Sequence, residues 1–259
     1  MATLPLPRFQ AAALAVWRRN TLVWRKLAGP SIFINFGEPF LYLLGLGYGL
    51  GLFIGEMMNM PYLTFLASGI LASSAMNTAS FEAMFSVYTR MIPQKTYEAI
   101  LATPLEVQDI LAGEMLWCAT KCVVSGTAIL IVGVLLGAVH DWHALWVPVL
   151  LFLVGLCFSG MGLVMTALAP GYDFFNYYVT LVLTPMFILS GVFYPVTSLP
   201  AALQSLVQLL PLSHAVDLIR PLVAGLPLEN VPLHLAVLAG YGLAGYLIAV
   251  HFTRRRLLV

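Results

Sequence analysis

Six long apolar runs constrain the fold of this chain more than any other feature of its sequence. A helix that crosses about 30 Å of hydrocarbon at 1.5 Å per residue needs roughly 20 mainly apolar residues. Runs of suitable length lie at about residues 32–54, 62–84, 110–137, 145–168, 177–193 and 233–252. None alternates apolar and polar residues as the strands of a membrane β-barrel do. The sequence therefore predicts an all-α polytopic membrane protein with six transmembrane helices.

The composition excludes a water-soluble globule. Hydrophobic residues make up 61% of the chain and charged residues only 9%, whereas an ordinary soluble domain has about 25% charged residues. The net charge of +1 argues against nucleic acid as a partner. No linker or repeat divides the chain, so we expect one membrane domain over residues 1–259. Its parts would be an interfacial helix on the cytoplasmic side (1–30), a six-helix bundle (32–252) and a basic tail (253–259).

The segment before the first run has the pattern of an amphipathic helix. Trp17, Thr21, Trp24 and Ala28 recur at helical spacing, and arginine and lysine residues lie beside them. A basic amphipathic helix lies in the plane of the membrane interface with its apolar face in the lipid. We therefore predict an interfacial helix around Trp17 to Trp24.

The distribution of basic residues predicts the orientation, because lysine and arginine are enriched on the cytoplasmic side of membrane proteins. With six spans, ten basic residues fall on the side of both termini: Arg8, Arg18, Arg19, Arg25, Lys26, Arg90, Lys95, Arg254, Arg255 and Arg256. Only Arg220 falls in a loop on the opposite side. We expect both termini in the cytoplasm.

Motifs for nucleotide binding and for hydrolysis are absent from the sequence. A phosphate-binding loop needs Gly-Lys followed by Ser or Thr, and no Gly-Lys pair occurs. ATP-driven work would therefore need a separate polypeptide, and we expect no catalytic, cofactor or metal site in this chain. His140, Asp141 and His143 could together bind a metal, but Trp142 beside them favours a loop at the membrane interface.

The loop between the second and third runs reads TRMIPQKTYEAILATPLEVQD. Pro93 breaks the chain after the second run, and residues 96–102 can form a short helix with Tyr97, Ile100 and Leu101 on one side. A short helix across the ends of two membrane helices is either a lever that another subunit pushes or a simple connector. The residues alone leave both interpretations open.

A second informative stretch follows the fifth run. It is apolar, but the prolines Pro200 and Pro211 enclose only about ten residues, too few to span the membrane. Proline at both ends prevents it from continuing a straight helix, and non-helical backbone within the membrane needs protein or a water-filled cavity around it. We predict a re-entrant segment at the outer end of a pathway, with a helix lying flat at the interface as the alternative.

Four ionisable residues lie inside the predicted spans: Glu38, Glu82, Glu114 and Lys121. A charge at the bilayer centre costs roughly 2.5 to 3.5 kcal/mol, so each should pair or face water. Glu114 and Lys121 are about 10.5 Å apart along a helix axis, too far for a direct salt bridge. We expect Lys121 to meet Glu82 from a neighbouring helix. This intramembrane pairing could either fix the helix register or serve substrate passage.

Several stretches together carry a family resemblance. They are AVWRRN (15–20), EPFLYLLGLGYGLG (38–51), TYEAILATPLEVQDILAGE (96–114), WCATK (117–121), ALAPGYDFFNYY (167–178), LSGVFYPVTSLP (189–200) and PLSHAVDLIRP (211–221). In combination they resemble the ABC-2 type transporter permeases, most closely the nodulation protein J group. The resemblance extends over almost the whole chain, and no single motif would suffice.

The resemblance implies a six-helix permease that forms a dimer and binds two copies of a cytosolic ABC ATPase, which holds ATP and Mg. It also implies a location in the inner membrane of a bacterium and export of a lipo-chitooligosaccharide or a similar lipid-linked glycan. The loop helix would be the coupling helix, seated in a cleft of the ATPase. Its residues are Thr96, Tyr97, Glu98, Ile100 and Leu101. The extracellular re-entrant hairpin would contain Pro195, Pro200 and Pro211.

An amphipathic substrate would suit apolar walls that carry aromatic rings. The candidates for lining such a path are Tyr42, Tyr48, Phe53, Phe187 and Phe193. Packing against lipid is the alternative explanation for these side chains.

Two other functions remain open at this point. A membrane-embedded transferase acting on a lipid-linked sugar could use Glu38, Glu82 or His214 as acid–base groups, although no clustered acidic or metal-binding signature supports it. The chain could also be a scaffold subunit without transport activity.

Overall fold

The structure is a computed structural model that describes residues 11–26, 29, 37 and 40–258. Its helices in chain order are α1 (Ala11–Arg25), α2 (Phe40–Ile54), α3 (62–91), α4 (Thr96–Leu101), α5 (Val107–Leu135), α6 (Trp142–Leu168), α7 (Phe174–Leu189), α8 (Ala201–Val207), α9 (Pro211–Ala224) and α10 (Val231–Leu257). A hairpin of two short antiparallel strands, β1 (Glu56–Met57) and β2 (Met60–Pro61), links α2 to α3. The predicted all-α class is confirmed.

Helix α3 changes its winding near one end. It is α-helical over Tyr62–Phe81 and Val87–Met91 and π-helical over Glu82–Ser86. Similar π-helical turns lie in α2, at Leu43–Tyr48, and in α7, at Val179–Leu183. Single π-helical turns inside α-helices occur frequently at functional sites, which directs attention to Glu82 in α3.

Three of the described helices, α5, α6 and α10, are long and apolar enough to cross a membrane. Helices α8 and α9 meet at 85° and form either a fourth, broken span or a re-entrant loop. Helices α2 and α7 are apolar but shorter, and α3 carries serine and threonine among its many buried residues. The count of six spans therefore stays a prediction.

Glycines let the central helices touch through their backbones. A Cβ atom on Gly160 of α6 would lie 2.6 Å from the Gly242 carbonyl oxygen of α10. A Cβ atom on Gly155 of α6 would lie 2.6 Å from Cα of Ala119 in α5. Small residues at such crossings allow the close approach on which helix association in membranes depends. Helix α6 therefore lies between α5 and α10 at the centre of the bundle.

Helix α1 packs along α5 at one end of the bundle. Ala13 and Val16 are buried, and a Cβ atom on Gly113 of α5 would lie 2.6 Å from the Ala13 carbonyl oxygen. Arg18 and Arg25 are exposed on the other side of α1. A helix is thus present where the sequence predicts one, but Trp17 and Trp24 of its predicted apolar side contact α5, and Ala28 lies outside the described residues. The position of α1 at a membrane interface remains a prediction.

The first and fifth predicted runs differ from the helices of the structure. Of the run 32–54, the structure describes Gly37 and Phe40–Ile54, and Glu38 lies outside the described residues. The run predicted at 177–193 corresponds to α7, which ends at Leu189. Gly191, with φ +77°, turns the chain there, and a positive φ is a conformation that glycine adopts readily.

The largest correction concerns the segment after the fifth run. Arg220 was expected in an outer loop, but it lies in helix α9 with only 8% of its surface exposed. Fourteen residues form this helix, with Pro211 at its start and Pro221 inside it. Because prolines usually mark helix ends or loops and the helix is too short to span alone, the pattern was mistaken for a loop.

Candidate functional site

Local turns and hydrogen bonds define both ends of the loop helix α4. Lys95 precedes it with φ +50°, a left-handed conformation that turns the chain sharply into the helix. At the other end the Thr103 amide and hydroxyl both donate to the Ile100 carbonyl, at 3.0 Å and 2.6 Å. Helix α5 then begins with a capping box between Glu106 and Asp109. These local bonds fix α4 between two turns.

One face of α4 points into the protein and the other points outward. Tyr97 is fully buried, and Ile100 and Leu101 pack partly against the core. Thr96 is half-buried. Glu98 is 61% exposed and lies 3.9 Å from Lys95, a contact that contributes little at this exposure. The five predicted coupling residues thus divide into a buried anchor and an exposed face.

Tyr97 anchors α4 in the core of the helix bundle. Burial raises the pKa of the Tyr97 phenol well above its usual value, and the Glu114 carboxylate raises this pKa further. The Arg90 guanidinium acts on the phenol in the opposite sense. Among the described residues the Tyr97 hydroxyl has no hydrogen-bond partner, so its ring holds α4 by packing in the core, and a displacement of α4 would disturb that packing.

Glu82 lies at the π-helical turn of α3 and accepts hydrogen bonds from several side chains. The Lys121 ammonium of α5 donates to Oε2 at 2.8 Å. Ser86 donates to the same oxygen at 2.8 Å, and the Trp117 indole donates to Oε1 at 2.9 Å. The structure thus brings Glu82 and Lys121 together, as their neighbouring positions in the predicted spans suggest. These donors compensate the cost of burying the carboxylate.

Glu114 has different partners from those of Glu82. The Arg90 guanidinium donates to it at 2.7 Å and 3.1 Å, and the amide of Asn20 from α1 donates at 2.8 Å. Arg90 also lies 3.4 Å from Glu82 and so bridges the two carboxylates. Four charged residues therefore form one group, which we call the charge cluster: Glu82, Arg90, Glu114 and Lys121.

Helix α1 joins the charge cluster from the side. Besides the Asn20 bond to Glu114, the Trp17 indole donates to the Thr120 hydroxyl of α5 at 2.9 Å. The rings of Trp24 and Trp117 lie edge to face, with centroids 5.8 Å apart. The charge cluster thus connects the ends of α3 and α5 with α1.

Sequence reasoning missed Arg90 and Asn20 as members of this site. Arg90 was counted as a basic residue of a loop, although α3 continues through Met91. A detectable signal was the spacing of eight residues between Glu82 and Arg90, which places both on one side of a helix. No comparable signal identifies Asn20, because its partner is 94 residues away.

The three prolines of the predicted hairpin mark three turns of the chain. Pro195 precedes a short 3-10 helix, Val196–Ser198, and Pro200 precedes α8. Pro211 is the first residue of α9. Proline is favourable at this position, because a backbone N–H there would have no partner within the helix. The Gln204 amide donates to the Leu199 carbonyl at 2.7 Å and closes the segment on itself.

Arg220 fixes α9 to α3 and to the turn after α7. Its guanidinium donates to the Gly191 carbonyl at 2.6 Å and to the Ser68 hydroxyl at 3.1 Å. It also lies 3.8 Å from the centre of the Phe65 ring, within the range of a cation–π contact. This buried cation thus holds the hairpin region against the bundle.

The structure brings together three of the five aromatic residues predicted to line a path. Tyr42 of α2 lies 6.3 Å from Phe187 and 6.2 Å from Phe193, and the latter two rings are 4.9 Å apart. Tyr48 and Phe53 do not join this group. The Tyr48 hydroxyl contacts the Leu136 carbonyl at 3.3 Å, and Phe53 is 88% exposed.

The histidine-bearing loop before α6 has contacts of its own. Asp141 accepts hydrogen bonds from the backbone and the ring of His143, at 2.9 Å and 2.7 Å. These bonds, the backbone one first, lower the pKa of the Asp141 carboxyl. His140 lies 3.2 Å from the Thr64 hydroxyl. Across the described ranges, no three His, Cys, Asp or Glu side chains are grouped to hold a metal ion.

Comparison with known proteins adds evidence of relationship. Over residues 11–223 the chain matches the family described as ABC-2 type transporter. It is 46% identical over 258 residues to nodulation protein J of Rhizobium leguminosarum bv. viciae, covering 100% of each chain. With nodulation protein J of Rhizobium meliloti (strain 1021) it shares 42% identity over 245 residues, which is 95% of this chain and 94% of the relative. The inner membrane transport permease YadH of Escherichia coli (strain K12) is 28% identical over 219 residues, which is 83% and 84% of the two chains.

Proposed function

Because the chain belongs to the ABC-2 type transporter family and is a multi-pass membrane transport permease, we propose that it forms the membrane path of an ATP-driven exporter. Two copies would enclose the path, and two copies of a separate ABC ATPase would bind ATP and Mg. No Gly-Lys pair is available in this chain to hold a nucleotide. The bacterial inner membrane, with both termini in the cytoplasm, is the proposed location.

The observation that carries this proposal is the division of α4 into two faces. Exposed Glu98 would contact the ATPase, while buried Tyr97 packs in the core of the bundle. A push on the exposed face would reach the adjoining ends of α3 and α5, which Arg90 and Glu114 hold together. The ATPase can drive a conformational change in this way only if it binds the two states of the permease with different affinities.

The proposed cargo is an amphipathic lipid-linked oligosaccharide, which the exporter would move from the inner side of the membrane to the outer side. This class follows from the resemblance to the nodulation protein J group and agrees with the aromatic contacts among Tyr42, Phe187 and Phe193. Aromatic faces bury large apolar areas with little loss of conformational freedom. The path would open between the two copies, because one set of helices encloses too little space for such a molecule.

The alternative of a membrane-embedded transferase has less support. An acid–base group needs free access to its substrate, but the Glu82 oxygens are occupied by Lys121 and Trp117. His214 is held between the Gln208 carbonyl and the ring of His234, at 2.8 Å and 2.7 Å. Glu38, the third candidate, lies outside the described residues.

Reconstitution tests the proposal against these alternatives. The chain and an ABC ATPase encoded beside it would be purified together and placed in phospholipid vesicles. We expect ATP-dependent movement of a fluorescent N-acylated chitooligosaccharide, which an ATPase variant unable to hydrolyse ATP should abolish. Sugar transfer to lipid without any ATPase would instead identify a transferase. A stable complex that shows neither activity would indicate a scaffold subunit.

A further inference from the structure

A polar cavity of about 350 Å³ lies between α1 and the adjoining ends of α3 and α5. Its wall includes Arg19, Trp24, Lys121 and the edge of the charge cluster. The rim includes Val23 and Gln94, which are both exposed, so the cavity can be reached from the surface.

The charges that line the cavity do not cancel. Lys121 and Arg90 are paired with Glu82 and Glu114 and leave no net charge in the charge cluster. Arg19 remains as a further cation. Over residues 11–26 and 40–258 the structure gives it no salt bridge, and its side chain makes a long 3.4 Å hydrogen bond to the Asn20 amide oxygen.

Further hydrogen-bond donors line the same cavity as Arg19. The Lys121 ammonium has three N–H groups, and its hydrogen bond to Glu82 uses one of them. The Gln94 amide lies at the rim. An arginine fork together with an ammonium group is the donor set that phosphate groups prefer.

We propose that this cavity binds the phosphate of an anionic phospholipid, drawn from the membrane leaflet in which α1 lies. Arg19 provides the charge, and Lys121 and Gln94 provide further donors. Basic pockets between membrane helices on the cytoplasmic side recognise lipid headgroups in this manner. A bound lipid would join α1 to the ends of α3 and α5. The proposal goes beyond transport, because binding requires neither the ATPase nor a cargo.

Native mass spectrometry of the purified chain in detergent tests this site. The chain would be titrated with 1-palmitoyl-2-oleoyl phosphatidylglycerol and, separately, with the corresponding phosphatidylcholine. We expect one tightly held phosphatidylglycerol per chain, and the variant Arg19→Gln should lose about tenfold in affinity, as the loss of a charged hydrogen bond would cause. The matched control is Arg18→Gln, because Arg18 is exposed and does not line the cavity.

A second pair of variants covers the possibility that Arg19→Gln fails to fold. Val23→Glu places a negative charge at the rim and should also weaken phosphatidylglycerol binding. Leu22→Glu is its control, because Leu22 and Val23 are similarly exposed, at 51% and 57%, but only Val23 borders the cavity. Both positions are at the surface, where substitutions rarely affect folding.

Three results would overturn the proposal. Equal losses in Arg19→Gln and Arg18→Gln, or in Val23→Glu and Leu22→Glu, would show that general surface charge attracts the lipid. Equal affinity for phosphatidylglycerol and phosphatidylcholine would exclude recognition of an anionic headgroup. Binding of inorganic phosphate without binding of phosphatidylglycerol would identify a free anion as the ligand.

Discussion

The Arg90 guanidinium holds the Glu114 carboxylate at two points, with Nε 3.1 Å from Oε1 and Nη2 2.7 Å from Oε2. This two-point contact joins the end of α3 to the first half of α5. Glu114 is fully buried, so its charge depends on Arg90 and on the Asn20 amide for compensation. The contact therefore holds together the two helices that flank the loop helix α4 in the chain.

Removal of the Arg90 charge should therefore destabilise the protein strongly. The variant Arg90→Met leaves a buried carboxylate without its cation, which costs about 3–5 kcal/mol in comparable sites. We expect a clear fall in melting temperature in detergent. Lys95→Met is the control, because Lys95 is 71% exposed in its contact with Glu98, and it should melt like the wild type.

The double variant Arg90→Met, Glu114→Gln separates charge from packing. It removes the orphaned carboxylate charge along with the cation, so part of the lost stability should return. If Arg90→Met alone were as stable as Lys95→Met, the buried pair could not have the structural role assigned to it.

A methyl group at Gly113 should detach α1 from α5. The Cβ atom of Gly113→Ala would lie 2.6 Å from the Ala13 carbonyl oxygen, which is backbone and cannot move without shifting the helix. We expect a lower melting temperature and faster proteolysis at the α1 segment. The control is Gly240→Ala in α10, where no atom lies within 4 Å of the added group.

The control variant Gly240→Ala also has an expected effect on stability. Alanine is favoured over glycine in a helix by up to about 1 kcal/mol, so Gly240→Ala should be neutral or slightly stabilising. Equal behaviour of the two alanine variants would mean that α1 does not pack against α5 as described.

Loss of the Arg220 side-chain donors should loosen the hairpin region. The variant Arg220→Met keeps the volume but loses the bonds to the Gly191 carbonyl and the Ser68 hydroxyl, for a cost of about 2 kcal/mol. A cysteine introduced in place of Ser190, which is 1% exposed beside Gly191, should then react faster with a water-soluble thiol reagent. Arg255→Met, which changes an exposed arginine, should leave that rate unchanged, and a similar rate in both variants would refute the role of Arg220.

The sequence was sufficient for the features that follow from local pattern and burial cost. Long apolar runs predict α5, α6 and α10, and the break at Pro93 predicts a separate helix α4. The proximity of Lys121 to Glu82 could be anticipated, because an apolar segment accommodates a lysine best beside a carboxylate.

Other features depend on long-range packing that one sequence does not reveal. Helix α9 looks like a loop because it carries prolines and an arginine, and the structure can bury it because Arg220 finds carbonyl and hydroxyl partners from α3 and from the turn after α7. The bond from Asn20 to Glu114 joins residues 94 positions apart. Residue type alone does not show that Tyr42 joins the aromatic group while Tyr48 and Phe53 do not. Only the packing of α2 distinguishes them.

The most direct test of the central claim is ATP hydrolysis by the chain purified with its ABC ATPase in lipid vesicles. Glu98→Arg changes an exposed residue of α4, and Glu229→Arg makes the same charge change at an exposed residue between α9 and α10. If α4 is the coupling helix, Glu98→Arg should weaken ATPase binding or lipid-stimulated hydrolysis about tenfold, while Glu229→Arg behaves like the wild type. Unchanged binding and hydrolysis in Glu98→Arg would contradict the coupling role of α4.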